Sequence, residues 1–326
     1  MNFNVVINTD DNYIQHCMAM LCSLYENNKN HTIFLHVLSN KLSDINKEFI
    51  TSLTLRYNNS IKFYYVNDDK IGNVQFRKQR PLSKAAYYRL LLSTLLDVSI
   101  QKVLYLDCDM IVLQDVSPLF DIELDNYALA ASRDSFPYTD QHRRQLHMEV
   151  GEKVFCSGIM LINLKYWREG NFEERLIEYA QRNRKEVHLH DQDVLNYVFK
   201  KQWYILPPKW NRNAYSEHAE CFEGLMDFDY KEYQYNPVVL HYASVEMKPW
   251  INVNFPNRKP YLKYLFLSGF PNPKFQPGNL RMHCKATILN LMIWVNRYIS
   301  PYMPNLVRLL LVDIKKILLI PFQLFK

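Results

Sequence analysis

An α/β fold with a mostly parallel central sheet is predicted by three observations. Short apolar runs alternate with helical stretches of ten to sixteen residues, which is the pattern of βαβ units. Acidic residues and a histidine follow directly after several of those runs, where open α/β sheets bind ligands beyond the carboxyl ends of their strands. The chain has 326 residues, 48% of them hydrophobic and 14% aromatic, enough to bury a substantial core and to exclude a disordered protein. In order, residues 3–8 read as a buried strand, and Asp10-Asp11-Asn12 form a polar turn suited to capping a helix over 13–28. A strand follows at 32–38, Ser43 opens a helix to about 58, and 61–66 is strand-like. A helix over 83–96 carries Lys84, Tyr87, Tyr88 and Arg89, and leads to a strand over 102–106. Strands at 127–132 and 158–163 and amphipathic helices at 171–184 and 191–200 come next. Pro207-Pro208 and a tyrosine-rich acidic stretch, 213–236, break the pattern before a last strand, 238–240, delivers His241.

Asp107-Cys108-Asp109 stands at the end of the strand Lys102-Val103-Leu104-Tyr105-Leu106. Side chains two apart on extended chain point the same way, so the two carboxylates make a site of hard oxygens for Mg²⁺ or Mn²⁺. Such an ion can neutralise a diphosphate and help it leave. His241, after its own strand, adds an imidazole nitrogen, and the mixed nitrogen–oxygen set suits Mn²⁺ better than Ca²⁺. Lys248, seven residues on in Lys248-Pro249-Trp250, can meet a phosphate as a point charge. Asn8-Thr9-Asp10-Asp11-Asn12-Tyr13 offers backbone N–H groups and a carboxylate for a uracil edge or ribose hydroxyls. Asp191-Gln192-Asp193 follows His188 and His190 at a helix start; capping explains one carboxylate there, but not an amide between two acids.

Seven glycines form neither G-x-G-x-x-G nor G-x-x-x-x-G-K-[ST], so the glycine-rich phosphate cradles are absent. Six cysteines (17, 22, 108, 156, 221 and 284) show no C-x-x-C or zinc spacing, and reduced thiols in a cytosolic protein are expected. Met1 leads straight into the first strand, so no secretion signal is expected. Of 39 basic and 33 acidic residues, seven and one fall in 279–326, leaving 32 of each before it, so all of the +6 net charge lies in this tail. Residues 286–296 are uncharged but too few to span a bilayer. Leu306, Leu310, Ile314 and Ile317 make one helical stripe, with Arg308, Lys315 and Lys316 opposite. A basic amphipathic helix of this kind lies in the interface of an anionic membrane.

The chain resembles a retaining glycosyltransferase of family 8, close in pattern to lipopolysaccharide and lipooligosaccharide α-galactosyl- and α-glucosyltransferases. The resemblance is carried by NTDDNY at 8–13, SKAAYYRL at 83–90, VLYLDCDMIV at 103–112, ASRD at 131–134, GIMLINLKYWR at 158–168, HDQDVLN at 190–196, and HY at 241–242 with KPW at 248–250. It implies one Rossmann-like nucleotide-binding (GT-A) domain over 1–260, a connecting segment over 261–278, and the helical basic tail over 279–326. It implies a UDP-hexose donor, galactose or glucose, and a saccharide or lipid-linked oligosaccharide acceptor of a cell-surface glycan. Asp107, Asp109 and His241 carry over as ligands of Mn²⁺, with Mg²⁺ the alternative. Asn8, Thr9, Asp10, Asp11, Asn12, Tyr13 and Cys108 carry over as nucleotide contacts, and Lys248 as the diphosphate-binding lysine. Arg89, Asp134, Asp191 and Gln192 match residues around the donor sugar, the last two being the catalytic candidates. Two departures stand out: Cys156 precedes Ser157-Gly158 where the family often has Asn, and the His241–Lys248 loop has one extra residue and Ser244, in place of glycine, as its phosphate contact.

An amide is a poor nucleophile, so front-face departure is expected, with Gln192 and Asp191 stabilising the sugar cation. The expected location is cytoplasmic, peripherally attached to the inner face of the membrane, with no nucleic-acid partner; the 213–236 stretch is expected to line the acceptor cleft. Two other readings compete. A haloacid-dehalogenase-type phosphatase also places D-x-D after an apolar strand, although its later motifs do not line up here. A non-catalytic carbohydrate-binding relative would keep the fold without the intact metal triad.

Overall fold

The computed structural model describes residues 1–72, 74, 84–134, 140–183, 187, 189–215, 232–244 and 246–298. β1 (Asn2–Asn8), α1 (Ile14–Glu26), β2 (Thr32–Ser39), α2 (Asp44–Arg56) and β3 (Ser60–Tyr65) form a first set of βαβ units. A 3₁₀ segment, Lys84–Leu91, then runs into the single turn of α3 (Leu92–Leu95), β4 (Lys102–Leu106) and β5 (Met110–Val112). Next come β6 (Leu129–Ser132), α4 (Asp140–Gln145), β7 (Ile159–Asn163), α5 (Leu164–Glu169), α6 (Phe172–Arg182) and α7 (Asp191–Val198). β8 (Trp203–Leu206), β9 (Arg212–Asn213), β10 (Val239–His241), α8 (Arg258–Ser268) and α9 (Leu280–Tyr298) complete the described chain.

The main sheet has the order β3-β2-β1-β4-β7-β6-β8, and only β7 runs against the others. The chain builds outward from β1 to β3 and returns to place β4 on the other side of β1. The β1/β4 boundary is therefore the topological switch point, with Asn8 and Asp107 at its open end. Side-chain alternation sorts the core into two layers. Val5, Ile7, Leu35 and Val37 pack toward α1, while Val6, Leu38, Val103 and Tyr105 pack on the other face with the 3₁₀ segment, α5, α6 and α7.

α1 is buried from Ile14 through Tyr25, as suits a helix with almost no charge on any face. α8 is one of its covers: Tyr261, Tyr264 and Leu265 are buried, and Tyr261 Oη accepts from Gln15 Nε2 at 3.0 Å. The boundary expected at residue 260 thus falls inside a packed helix, because an aromatic face on 261–265 seals α1. The turn before α1 is tied by Asp10 Oδ1, which accepts from the Asn12 and Tyr13 N–H groups at 3.0 and 3.1 Å, and Tyr13 holds the capping position.

Three expectations change. The helix expected at 83–96 is largely 3₁₀, because side chains claim its carbonyls: Asn8 Nδ2 donates to Ala85 O, and Arg89 Nε to Ala86 O, each at 3.0 Å. The segment after β7 is α5, absent from the sequence reading, started by Asn163, whose side chain accepts from Tyr166 N. β8 was also not foreseen; it is a short strand at the sheet edge. The described cysteines 17, 22, 108, 156 and 284 are free, and Cys221 lies outside the described residues. On α9, Leu280, Leu291, Trp294 and Tyr298 are between 51% and 80% exposed. No helix among the described residues is long and apolar enough to cross a membrane, and the stripe of Leu306, Leu310, Ile314 and Ile317 lies outside them. Most of the 213–236 stretch lies outside them too.

His36 on β2 is bonded to Asn4 Oδ1 and Tyr64 Oη at 3.0 and 2.9 Å and is 2% exposed. Burial, with nearby Lys62, pushes its imidazole down to about 4. The unfolded chain therefore binds the extra proton between pH 6.5 and about 4, and stability falls as pH drops through that window. His36→Gln should remove about 2 kcal/mol of the stability lost between pH 7.5 and pH 5. Urea unfolding of both proteins at the two pH values measures this, and equal losses would show that His36 stays neutral without cost.

Candidate active site

β4 and its neighbours bring three ligand groups together. Asp107 N–H donates to Gly158 O at 2.8 Å, so the antiparallel β7 sets its start against the end of β4. β10 pairs antiparallel with β5 and aligns His241 with Met110, and Tyr242 N–H donates to Asp109 O at 2.9 Å. One ligand atom from each of Asp107, Asp109 and His241 lies within 4.8 Å of the others. Two carboxylates and an imidazole at this spacing fit a divalent ion of the Mn²⁺ kind. His241 Nδ1 faces Asn211 Oδ1 at 3.0 Å and Cys156 Sγ at 3.7 Å, which turns Nε2 toward Asp109, 3.4 Å away. Such an outer bond fixes the tautomer that a metal needs. Gly158 keeps the space open: a Cβ there would stand 3.0 Å from Asp107 Oδ2, 2.7 Å from Met110 Cε and closer still to His241 Cε1.

Lys248 reaches the same point, with Nζ 2.6 Å from Asp109 Oδ2 and 2.7 Å from Tyr242 O. Burial alone would raise the Asp109 carboxyl, but Lys248 and His241 hold it well below the usual range. Burial likewise opposes charge on His241, yet Cys156 and Asp109 raise it.

A second cluster lies against the first through Arg89, which is 5% exposed. Its Nη2 donates to Asp107 Oδ1 at 2.7 Å, Nη1 to Ser157 O at 2.8 Å, and Nε lies 3.2 Å from Asp191 Oδ2. Asp191 also accepts from Ser157 Oγ at 3.1 Å. Burial pushes this carboxyl up to about 6, with Arg89 pulling it down and Asp107 adding to the rise. Gln192 Oε1 accepts from Ser157 N–H at 3.1 Å, while its Nε2 donates to Asp134 Oδ2 at 2.7 Å. His190, before Asp191, has φ 56° and ψ −127°, a conformation that side chains other than hydrogen resist. This strained turn opens α7 and sets Asp191 against Arg89 and Gln192 against Ser157 and Asp134.

The 8–13 segment is used in several ways. Asn8 Nδ2 donates to Ala85 O and to Tyr105 Oη, Thr9 is buried, and Cys108 Sγ donates to Asn8 O at 3.2 Å. Asp11 Oδ1 accepts from Ser43 N–H, Ser43 Oγ and Asn46 Nδ2 at 2.7 to 3.0 Å, so this oxygen pins the start of α2. Asn12 is exposed, and Tyr13 is edge-on to Trp250 with centroids 5.8 Å apart. Ser244 Oγ accepts from Met247 N–H at 3.2 Å and shapes the loop before Lys248.

Several positioning residues were missed. Tyr105 Oη donates to Asp107 Oδ1 at 2.7 Å, Ser157 holds Asp191 and Gln192, Asn211 orients His241, and Asn196 brackets the Phe155 backbone. Period-two spacing relative to Asp107 could have flagged Tyr105, but no local signal marks Asn211.

A partly buried acid–acid–imidazole site at the switch point of a mostly parallel sheet suits an enzyme that holds a divalent ion, and comparison with known proteins gives its class. The model of the family described as Glycosyl transferase family 8 matches residues 4–253, and the chain belongs to that family. It is 33% identical over 273 residues to General stress protein A of Bacillus subtilis (strain 168), covering 80% of this chain and 92% of that protein. It is 26% identical over 251 residues to a lipopolysaccharide 1,2-glucosyltransferase of Escherichia coli, covering 76% and 73%. The crystal structure of galactosyltransferase LgtC with donor and acceptor sugar analogs superposes with a TM-score of 0.70 at 25% identity, covering 82% of this chain and 95% of that one. Family membership displaces the phosphatase reading.

Gly158→Ala should lower stability by about 1–3 kcal/mol, because a methyl group enters a filled space, and weaken Mn²⁺ binding at least about tenfold by displacing His241. Denaturant titration and Mn²⁺ electron paramagnetic resonance measure the two effects. Unchanged affinity would mean that the three ligands do not act together.

Proposed function

We propose that this family 8 enzyme moves a hexose, galactose or glucose, from a UDP-sugar to a saccharide acceptor of a cell-surface glycan such as lipopolysaccharide, with retention of configuration. One observation carries the reading: Asp107, Asp109 and His241 converge within 4.8 Å, with Lys248 on Asp109 and the Arg89 cluster alongside. Asp107, Asp109 and His241 would hold Mn²⁺, with Mg²⁺ as the alternative. A divalent ion there supplies Lewis-acid stabilisation of the UDP leaving group.

The chain's own residues do the rest. Asn8 to Tyr13 and Cys108 form the rim for uracil and ribose. Lys248 exchanges Asp109 for the diphosphate and meets the charge that grows on it as the anomeric C–O bond breaks. Ser244 shapes the loop that carries this lysine and can meet the same phosphate. Arg89 keeps Asp191 beside Asp107 while the sugar carbon becomes cationic, and Asp134 fixes Gln192. Both ends of the Gln192 amide are engaged, and an amide attacks poorly, which supports front-face departure over a covalent intermediate. The leaving phosphate oxygen then accepts the acceptor's proton. The relatives named for glucose and galactose transfer support a hexose as cargo.

Purified protein with Mn²⁺ should release UDP slowly from UDP-galactose or UDP-glucose and form an α-linked product by NMR. Asp107→Ala and Asp109→Ala should each lower turnover about a thousandfold or more at any Mn²⁺ concentration. Substantial turnover in either variant, or a β-linked product, counts against the assignment.

We further propose that the 279–326 tail attaches the enzyme to the inner face of the membrane. Its seven basic residues and the exposed Leu280, Leu291 and Trp294 support this. Removing 279–326 should shift the protein from the membrane pellet to the supernatant of fractionated cells, and an unchanged distribution would refute attachment.

A further inference from the structure

Behind the metal ligands the fold buries a cation that the proposed chemistry leaves unused. Arg212 on β9 is 5% exposed, and its Nε has no hydrogen-bond partner. No carboxylate among the described residues pairs with it; the ring of Tyr233, with its centroid 5.6 Å away, is its neighbour. A guanidinium stays charged, and a charge taken out of water is costly unless it is paired. A cation–π contact at that distance offsets little of this.

Arg212 lines a cavity of about 220 Å³ together with Gln234, Leu113, Leu240, Pro260 and Ile293. Arg212 and Leu240 are cross-strand partners on β9 and β10, so they share one face of that small sheet. His241, one residue on, faces the metal ligands on the other side. The cavity is thus back to back with the active site, beside α8 and α9. It has a charged base, an amide at the side and apolar walls. The base offers a planar fork of N–H donors that suits an oxyanion, and the amide adds one more. The donors outnumber the two oxygens of a carboxylate and match the three or four of a phosphate.

We propose that this cavity binds a phosphate group, with Arg212 as its principal ligand. The phosphate is that of a lipid headgroup or of a soluble compound, and the chemistry at Arg212 is shared. Ile293, from a helix with exposed Leu291 and Trp294, puts the cavity wall next to the apolar surface of α9. The inference does not depend on which sugar is transferred or on the metal.

The test compares the full-length protein with Arg212→Met and with Gln234→Glu, which adds a carboxylate to the wall of the same cavity as an internal anion. Thermal unfolding is followed with inorganic phosphate, acetate or chloride at equal ionic strength. Flotation measures binding to phosphatidylcholine vesicles with and without phosphatidic acid. Wild type should gain several degrees in phosphate but not in acetate, or bind the phosphatidic acid vesicles, with apparent affinity at least tenfold weaker in the variants. Without any probe, Gln234→Glu should be more heat-stable than wild type; UDP-sugar hydrolysis by the wild type is scored separately and tests only the catalytic reading. Vesicle binding that Arg212→Met or Gln234→Glu weakens assigns a lipid headgroup, a response to inorganic phosphate assigns a soluble source, and vesicle binding equal in all three proteins belongs to the 279–326 tail and counts against the cavity. Equal responses in wild type and Gln234→Glu, an equal shift in acetate, or no response to any probe overturns the proposal. Should Arg212→Met fail to fold, Gln234→Glu decides alone.

Discussion

The guanidinium of Arg89 fixes the distance between the two halves of the site. It spans Asp107 on one side and Asp191 on the other, and its 5% exposure takes most of the screening water away. Burial, with the charge of the half-buried Asp107 adding to it, raises Asp191 to about 6 even with the cation present. The planar fork does what an ammonium could not, because it also donates to Ser157 O, the residue that holds Gln192 and Asp191.

Much of this site was legible in the sequence, for reasons that differ by residue. Asp107 and Asp109 could be read because they close an apolar run of strand length, and a strand end has a known direction. His241 could be read for the same reason, and the sequence order of the motifs linked it to the acids. Arg89, Asp134 and Gln192 could be named but not connected, because Arg89 reaches Gln192 only through Ser157, whose role is visible only when β7 lies beside β4, and Gln192 then meets Asp134 directly. Asn211 left no trace at all: it acts through one side-chain oxygen, 30 residues before the histidine that it orients. The antiparallel course of β7 was also unreadable, since an apolar run carries no sign of its direction.

Two features show where local preference yields to function. His190 holds a left-handed backbone without being glycine, and the residues it positions are the acid and amide of the second cluster. Gly158 stands where any side chain would enter the space beside Asp107, Met110 and His241. Elsewhere the chain follows its intrinsic preferences closely, as in the alternation of β1 and the largely apolar surface of α1.

The packing of α8 over α1 has a temporal side. Gln15 and Tyr261, which bond across that interface, are 246 residues apart in the chain. At ordinary rates of synthesis the first helix leaves the ribosome about 12–50 s before its cover exists. During that interval an apolar helix stands half-sheltered, open to chaperones and to the same helix on neighbouring nascent chains.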